Sequence, residues 1–417
     1  MMRSEVLLLH NLFAVLVATW PEQVHLAFHG DYSVMAVLWT TFHYDRMTVR
    51  FGTTPSDLRF TATNDGVKRW QSGSSIRYSH RAAMRNLQPS TTYYYQIGGR
   101  QFSFKTLARN PQTYKVCIFG DLGYFHGNST QSLIRNGLAG KFDFIVHLGD
   151  IAYDLHANNG TTGDKYMNQL EPLLSKIPYM VIAGNHEDDG KNFTDYQERF
   201  WMPDNDYHDN QFYSCHICAG NENFRAQNSP SILDKFQNPK TKLKIRIGWL
   251  EMPGLEPLFL KYGVDMGFWG HEHSYERFYP IANKQFWNGT GAYHNPNAPV
   301  YVISGSAAKS YMGCHTPYAK FSDHPWPFSA ARINDYGYSI LTVMNSTHLH
   351  LEQISIEKND LVVDDLWIVK DNHHVHSQEL RQATSRCLTE EYPVRCETKT
   401  PPRQEEQLWT IDKDRWL

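Results

Sequence analysis

From residue 22 to residue 107, apolar and polar side chains alternate in short runs broken by polar turns, most clearly at Met35 to Thr41, Met47 to Phe51 and Thr92 to Ile97. A period of two sends successive side chains to opposite faces of a pleated strand, and nothing in this stretch keeps a helical period. The pattern predicts a small β-sandwich over residues 22–108. After Arg109-Asn110-Pro111 the pattern changes to apolar strands with polar helical stretches between them: Tyr114 to Phe119, Phe144 to Leu148, Tyr179 to Ala183, Val264 to Trp269 and Val300 to Ser304. Strands that are apolar on both faces predict sheets covered by helices, an α/β unit over residues 112–370. Alternation returns at Tyr338 to Val343 and His348 to Ile354, and these strands are expected to complete a second sheet. Residues 371–417 are polar and charged and read as a tail.

The buried strands of the second unit end alike. Gly120-Asp121-Leu122-Gly123, Gly149-Asp150-Ile151-Ala152-Tyr153, Gly184-Asn185-His186-Glu187 and Gly270-His271-Glu272-His273 each follow one of them. In each case the glycine is expected to let the backbone turn, and the next residues offer oxygen or nitrogen donors. Taken singly, each ending has a packing or capping explanation, since Gly-Asp is a common turn and Asn-His can cap a helix. Four on four strand ends point to one shared centre, where open α/β sheets place their ligands.

A chain of 417 residues with 41% hydrophobic content has room for two domains and tails. A net charge of -3 excludes a globally basic nucleic-acid surface, so a phosphate-bearing substrate must be held by local charge or by metal. Residues 1–19 carry Arg3, an apolar run from Val6 to Val17 and a small-residue site at Val17-Ala18-Thr19, the pattern of a signal peptide, with a buried N-terminal helix as the alternative. No other stretch is apolar for long enough to span a bilayer. Asn-x-Ser/Thr acceptors at Asn128, Asn159, Asn192, Asn288 and Asn345 fit a secreted glycoprotein. The six cysteines are too scattered to build the fold. Cys117 reads as packed in its strand, Cys387 and Cys396 as a possible loop closure, and Cys215-His216-Ile217-Cys218 as thiols or a disulfide rather than half a zinc site.

The four endings together resemble the calcineurin-like metallophosphoesterases, and within them the purple acid phosphatases, because Gly123 stands where most of the wider group has histidine and Tyr153 follows the second aspartate. The segment Leu87-Gln88-Pro89-Ser90-Thr91-Thr92-Tyr93-Tyr94-Tyr95 is similar to the entry to strand F of fibronectin type III domains, where a tyrosine pins a corner. The resemblance implies a fibronectin III-like sandwich ahead of a four-layer α/β/β/α metallophosphoesterase domain. It implies that Asp121, Tyr153 and His273 hold Fe(III), that Asp150 bridges, and that Asn185 and His271 hold divalent zinc, iron or manganese. Two such ions orient a phosphoryl group, activate water and neutralise charge on the attacking and leaving oxygens. His186 matches the position that contacts phosphate or protonates the leaving group, with orientation of Asn185 as its alternative. The implied activity is hydrolysis of small phosphate monoesters, outside the cell or in a lysosome. Glu276 and Arg277 are expected to fix the loop as a buried pair and are left out of the site.

One motif of the family is missing. An apolar V-x-x-H strand should deliver a second histidine to the divalent ion, yet between Glu187 and Gly270 the histidines are His208 and His216, and neither ends such a run. The interval near residues 215–247 is short and turn-like, as an internal deletion would leave it. The alternative reading is therefore a secreted glycoprotein that keeps the fold with impaired catalysis.

Overall fold

A computed structural model describes residues 20–30, 33–62, 64–109, 113–203, 209–215, 224–227, 248–249, 252–308, 321 and 324–371. The expected signal peptide, His208, His216, Cys218, Cys314, Cys387, Cys396 and all of the tail beyond Asp371 lie outside the described residues.

The N-terminal alternation folds as two four-stranded antiparallel sheets. One runs in the order Glu22–Phe28, Met35–Thr41, Ser75–Met84, Asn64–Ser72, the other Phe60–Ala62, Val49–Gly52, Thr92–Ile97, Arg100–Lys105. Trp39, Val37, Phe51 and Tyr95 fill the space between them. Tyr93 pins its corner as the sequence suggests, its phenol oxygen accepting a hydrogen bond from the Gln88 backbone N–H at 2.9 Å.

The second unit is built on two sheets. The larger has six strands in the order Tyr179–Val181, Phe144–His147, Tyr114–Phe119, Gly337–Val343, His348–Ser355, Leu361–Val369. Its first three strands are parallel and the rest antiparallel. The smaller has the order Met266–Trp269, Val300–Ser304, Tyr275–Phe278, Ser329–Ile333. The strands of residues 337–369 thus extend the sheet that carries the first three motifs, and do not complete the second one. Alternation identifies a strand; its neighbour is decided by packing, and here Gly337–Val343 pairs along the free edge of Tyr114–Phe119. The sheets meet at Ser304, whose carbonyl accepts from the Gly120 N–H at 2.7 Å and whose hydroxyl lies 2.9 Å from the Ser339 hydroxyl. Helices Thr130–Leu138 and Thr161–Leu174 accompany the large sheet, and Glu256–Tyr262 leads into the small one.

The two units share a buried polar seam. Asp164, at the start of its helix, accepts from Arg77 of the sandwich at 2.6 Å and from Arg199 at 2.9 Å, while Gln23 joins both Asp164 and Arg199. Arg100 pairs with Glu171, and the Tyr95 hydroxyl donates to the Ser175 carbonyl at 2.6 Å. A charge withdrawn from water costs several kcal/mol unless it is paired, so these groups tie the sandwich to the second unit in one register. Truncating Asp164 leaves two buried guanidinium groups without their shared partner. Asp164→Ala is expected to destabilise the whole chain by about 3–5 kcal/mol in denaturant unfolding, against a few tenths for an exposed control.

Buried histidines, His25 and His80 among them, add a pH dependence. Burial drives His25 down to a pKa of about 4. It does the same to His80, again to about 4, against an opposing effect from Asp45. The folded chain refuses protons that the unfolded chain accepts below about 6.5, so stability is complete above that value and falls as pH drops toward 4. The unfolding free energy is expected to lose about 1.4 kcal/mol per pH unit for each such histidine at its steepest, and His25→Gln should flatten the curve by about one such increment.

Candidate metal centre

The four strand endings converge at the carboxyl edge of the large sheet, and a fifth loop joins them. Asp121 and Asp150, both buried, bring carboxylate oxygens within 4.8 Å of each other. Around Asp121 lie a phenol and an imidazole: the Tyr153 hydroxyl and His273 Nε2 are each 3.3 Å from its Oδ1, and they are in short contact with each other. Around Asp150 lie an amide and an imidazole: His271 Nδ1 is 3.9 Å from its Oδ2 and 2.9 Å from Asn185 Oδ1. Two neighbouring donor sets therefore share the carboxylate pair. Asp121, Asp150 and His273 each bring a ligand atom within 4.8 Å of the others.

Local backbone geometry explains how these side chains face inward, and it differs from the expectation. Glycine makes the turn only at Gly149, with φ of 84°, and at Gly123, with φ of 70°. Elsewhere the donors themselves sit in the left-handed region, with φ of 62° at Asp121, 52° at Asp150, 52° at Tyr153 and 72° at His271. Such conformations cost free energy and persist where the surroundings enforce them. The motif glycines mainly give room. A Cβ on Gly184 would lie 2.3 Å from Asp150 Oδ1, and one on Gly123 would lie 2.9 Å from the Tyr153 ring. A side chain at residue 123 and a phenol entering from residue 153 thus compete for one space. His271 and His273 follow the strand in a loop, as the sequence places them, and their rings serve the two donor sets separately.

The protonation pattern shows what the centre lacks in charge. Burial, then the charges of Asp121 and Glu187, pushes Asp150 well above the usual carboxylate range. Burial pushes Asp121 the same way, but the hydrogen bond and charge of His273, with His271, outweigh it and hold Asp121 low. Burial and the two carboxylates drive the Tyr153 phenol far above its ordinary value. Among the described residues no lysine or arginine pairs with either aspartate. A cation where these donors meet would reverse both upward shifts, and a set of carboxylates, phenol, amide and imidazoles suits a hard trivalent ion beside a borderline divalent one. The residues present fit such ions.

Several contacts escaped the sequence reading. Glu187 accepts from the backbone N–H of Asp150 at 2.8 Å, Ile151 at 2.8 Å and Gly184 at 2.7 Å, lacing two loops together. The His186 ring lies tilted against the Tyr153 ring, with centroids 4.6 Å apart, and its Nδ1 lies 2.9 Å from Asp154 Oδ1. Gly305 supplies the fifth loop: a Cβ there would lie 2.6 Å from Asp121 Oδ2 and 2.1 Å from the Glu272 carbonyl. The sequence signal for it was present, since Ser304-Gly305-Ser306 ends an apolar strand as the four motifs do. Arg277 is buried as expected, but its partner is Asp364 at 2.6 Å, while Glu276 accepts from Ser329.

Residues 21–106 match the family model for the purple acid phosphatase N-terminal domain, residues 114–275 the calcineurin-like phosphoesterase model, and residues 298–365 the iron/zinc purple acid phosphatase-like protein C model. Over 408 aligned positions the chain is 34% identical to acid phosphatase type 7 of Homo sapiens, taking in 84% of this chain and 91% of that protein. The chain belongs to the purple acid phosphatase family. It is also similar to acid phosphatase type 7 of Danio rerio (32% identity; 86% of this chain, 93% of the relative) and to purple acid phosphatase 22 of Arabidopsis thaliana (25%; 84% and 85%). A solved purple acid phosphatase from yellow lupin (Lupinus luteus) seeds shares the fold with a TM-score of 0.66 at 22% identity, over 85% of this chain and 75% of that one. The fish comparison runs over 419 positions, more than the 417 residues of this chain, of which 86% take part. That relative therefore has residues in the aligned region with no counterpart here.

In a purple acid phosphatase built this way, the loop at Gly305 has no space to spare. Gly305→Ala is expected to push Asp121 off its donors and lower metal retention at least about tenfold, with an unchanged circular dichroism spectrum. Metal content after dialysis, measured beside the unmodified chain, checks it.

Proposed function

We propose that the chain is an acid phosphatase that hydrolyses small phosphate monoesters at a centre holding Fe(III) and a divalent zinc, iron or manganese. The observation that carries the reading is the shared pair of buried carboxylates, flanked by a phenol and an imidazole on one side and by an amide and an imidazole on the other. On this reading Asp121, Tyr153 and His273 hold the ferric ion, Asp150 bridges, and Asn185 and His271 hold the divalent ion. When bound, the two ions supply an activated water and neutralise the phosphoryl oxygens. The chain's own residues supply the rest. Glu187 keeps the Asp150 and Asn185 loops in register through its three backbone hydrogen bonds. Asp154 orients the imidazole of His186, the residue assigned to contact phosphate or to protonate the leaving oxygen.

Residues 22–108 serve as the sandwich domain and 112–370 as the catalytic domain, shortened near 215–247. Secretion by way of the signal peptide at 1–19, to the extracellular space or a lysosome, agrees with the exposure of all five acceptor asparagines. Among the described residues, no helix is long and apolar enough to cross a membrane.

A second reading has its own support. The divalent side has one imidazole, His271, among the described residues, and a type 7 relative carries aligned residues that this chain lacks. The chain is then a form that keeps the fold and the ferric side but turns over little substrate. Hydrolysis of an artificial phosphate ester, read with the metal content, separates the two. About two ions at this centre with turnover supports the enzyme; one ion or none there without turnover supports the impaired form. In the active case Asp150→Asn should lower turnover by at least about a hundredfold, since even groups that only orient a ligand cost tenfold to a hundredfold. Undiminished hydrolysis by that variant would falsify the assignment.

A further inference from the structure

We propose that His350, Glu352 and Asp365 form a second cation site, outside the centre described above, that takes a first-row divalent ion such as Zn²⁺. In the outer strand pair of the large sheet, His350 stands opposite Trp367 and Glu352 opposite Asp365. The period of two puts all four side chains on one face. Two carboxylates directly across an antiparallel pair repel. Among the described residues neither is paired with a lysine or an arginine; their shared partner is the imidazole between them.

That imidazole is held ready. Its ring stacks on the Trp367 indole with centroids 4.2 Å apart and planes 13° apart, so it cannot turn freely without losing the contact. Nε2 then lies 3.1 Å from Asp365 Oδ2 and Nδ1 lies 3.9 Å from Glu352 Oε2. One donor atom from each residue falls within 4.8 Å of the other two. Ligands about 2.1 Å from a tetrahedral zinc stand about 3.4 Å apart, so closure asks for side-chain adjustment and no movement of the strands. All three donors stand on paired strands, which place side chains more accurately than loops do. An imidazole nitrogen with two carboxylate oxygens selects zinc and its neighbours over magnesium or calcium, which prefer oxygen alone. The carboxylate of Asp365 is 55% exposed, so water can complete the shell.

The position has a structural consequence. Asp364, next to Asp365 and on the opposite face, pairs with Arg277 and accepts from the Tyr275 hydroxyl at 2.6 Å. Those residues belong to the strand that follows His271 and His273. An ion on the outer face would clamp the strand that anchors this contact. It would also raise the metal count of the chain by one, independently of how complete the catalytic centre is.

The test is calorimetric titration of the full chain with Zn²⁺ after its other metals have been loaded and excess removed, beside His350→Gln, Glu352→Gln and Asp365→Asn. These near-isosteric changes at partly exposed positions leave the fold in place. One further equivalent is expected, with affinity lowered at least about tenfold in each variant. No further equivalent means that His350 serves only as a counter-ion to two carboxylates, and the proposal fails. It fails equally if the extra equivalent binds the variants unchanged, because histidines elsewhere, such as His373 and His374, then hold it.

Discussion

Two buried carboxylates with oxygens within 4.8 Å of each other, paired with no arginine or lysine among the described residues, impose a shortage of positive charge on everything nearby. The polypeptide answers with histidines at Asp121, and burial with the neighbouring carboxylates drives the pKa values of Asp150 and Tyr153 upward. None of these supplies the missing charge itself. Cations held by the two donor sets would supply it. The left-handed backbone at Asp121, Asp150, Tyr153 and His271 shows that the surroundings force this arrangement against local preference.

The forcing comes from how closely the strand ends crowd. Gly120 approaches Gly270, Gly149 approaches Gly184, and Gly305 approaches the Glu272 carbonyl, so the loops are held by backbone contact before any side chain takes part. The same logic links Gly123 to Tyr153: the glycine is the space the phenol uses. Beyond the centre, the Arg77–Asp164–Arg199 seam ties the sandwich to the helix behind these loops, and Ser304 ties the two sheets together.

Much of this was legible in the sequence. An apolar run ending in glycine and a polar residue announces both a buried strand and a donor at its end, and so the six candidates Asp121, Asp150, Tyr153, Asn185, His271 and His273 appear together in the structure. What the sequence hid depends on neighbours distant in the chain. Asp364 meets Arg277 across 87 residues of chain, and the edge that the strands of residues 337–369 would join is a property of packing, not of alternation. The turn-making role assigned to glycine was half right, because most of the sharp turns fall on the donors. The fifth loop at Gly305 was visible as a motif but lacked a donor to mark it.

On the proposed function the phenol of Tyr153 is a ligand to the ferric ion. A phenolate bound to ferric iron absorbs visible light by charge transfer, which no other donor in the set reproduces. The visible spectrum of the iron-loaded chain beside Tyr153→Phe is the direct measurement. A band present in the unmodified chain and absent from the variant, with iron still bound, is the predicted result. A colourless iron-loaded chain, or a band that survives the substitution, contradicts it.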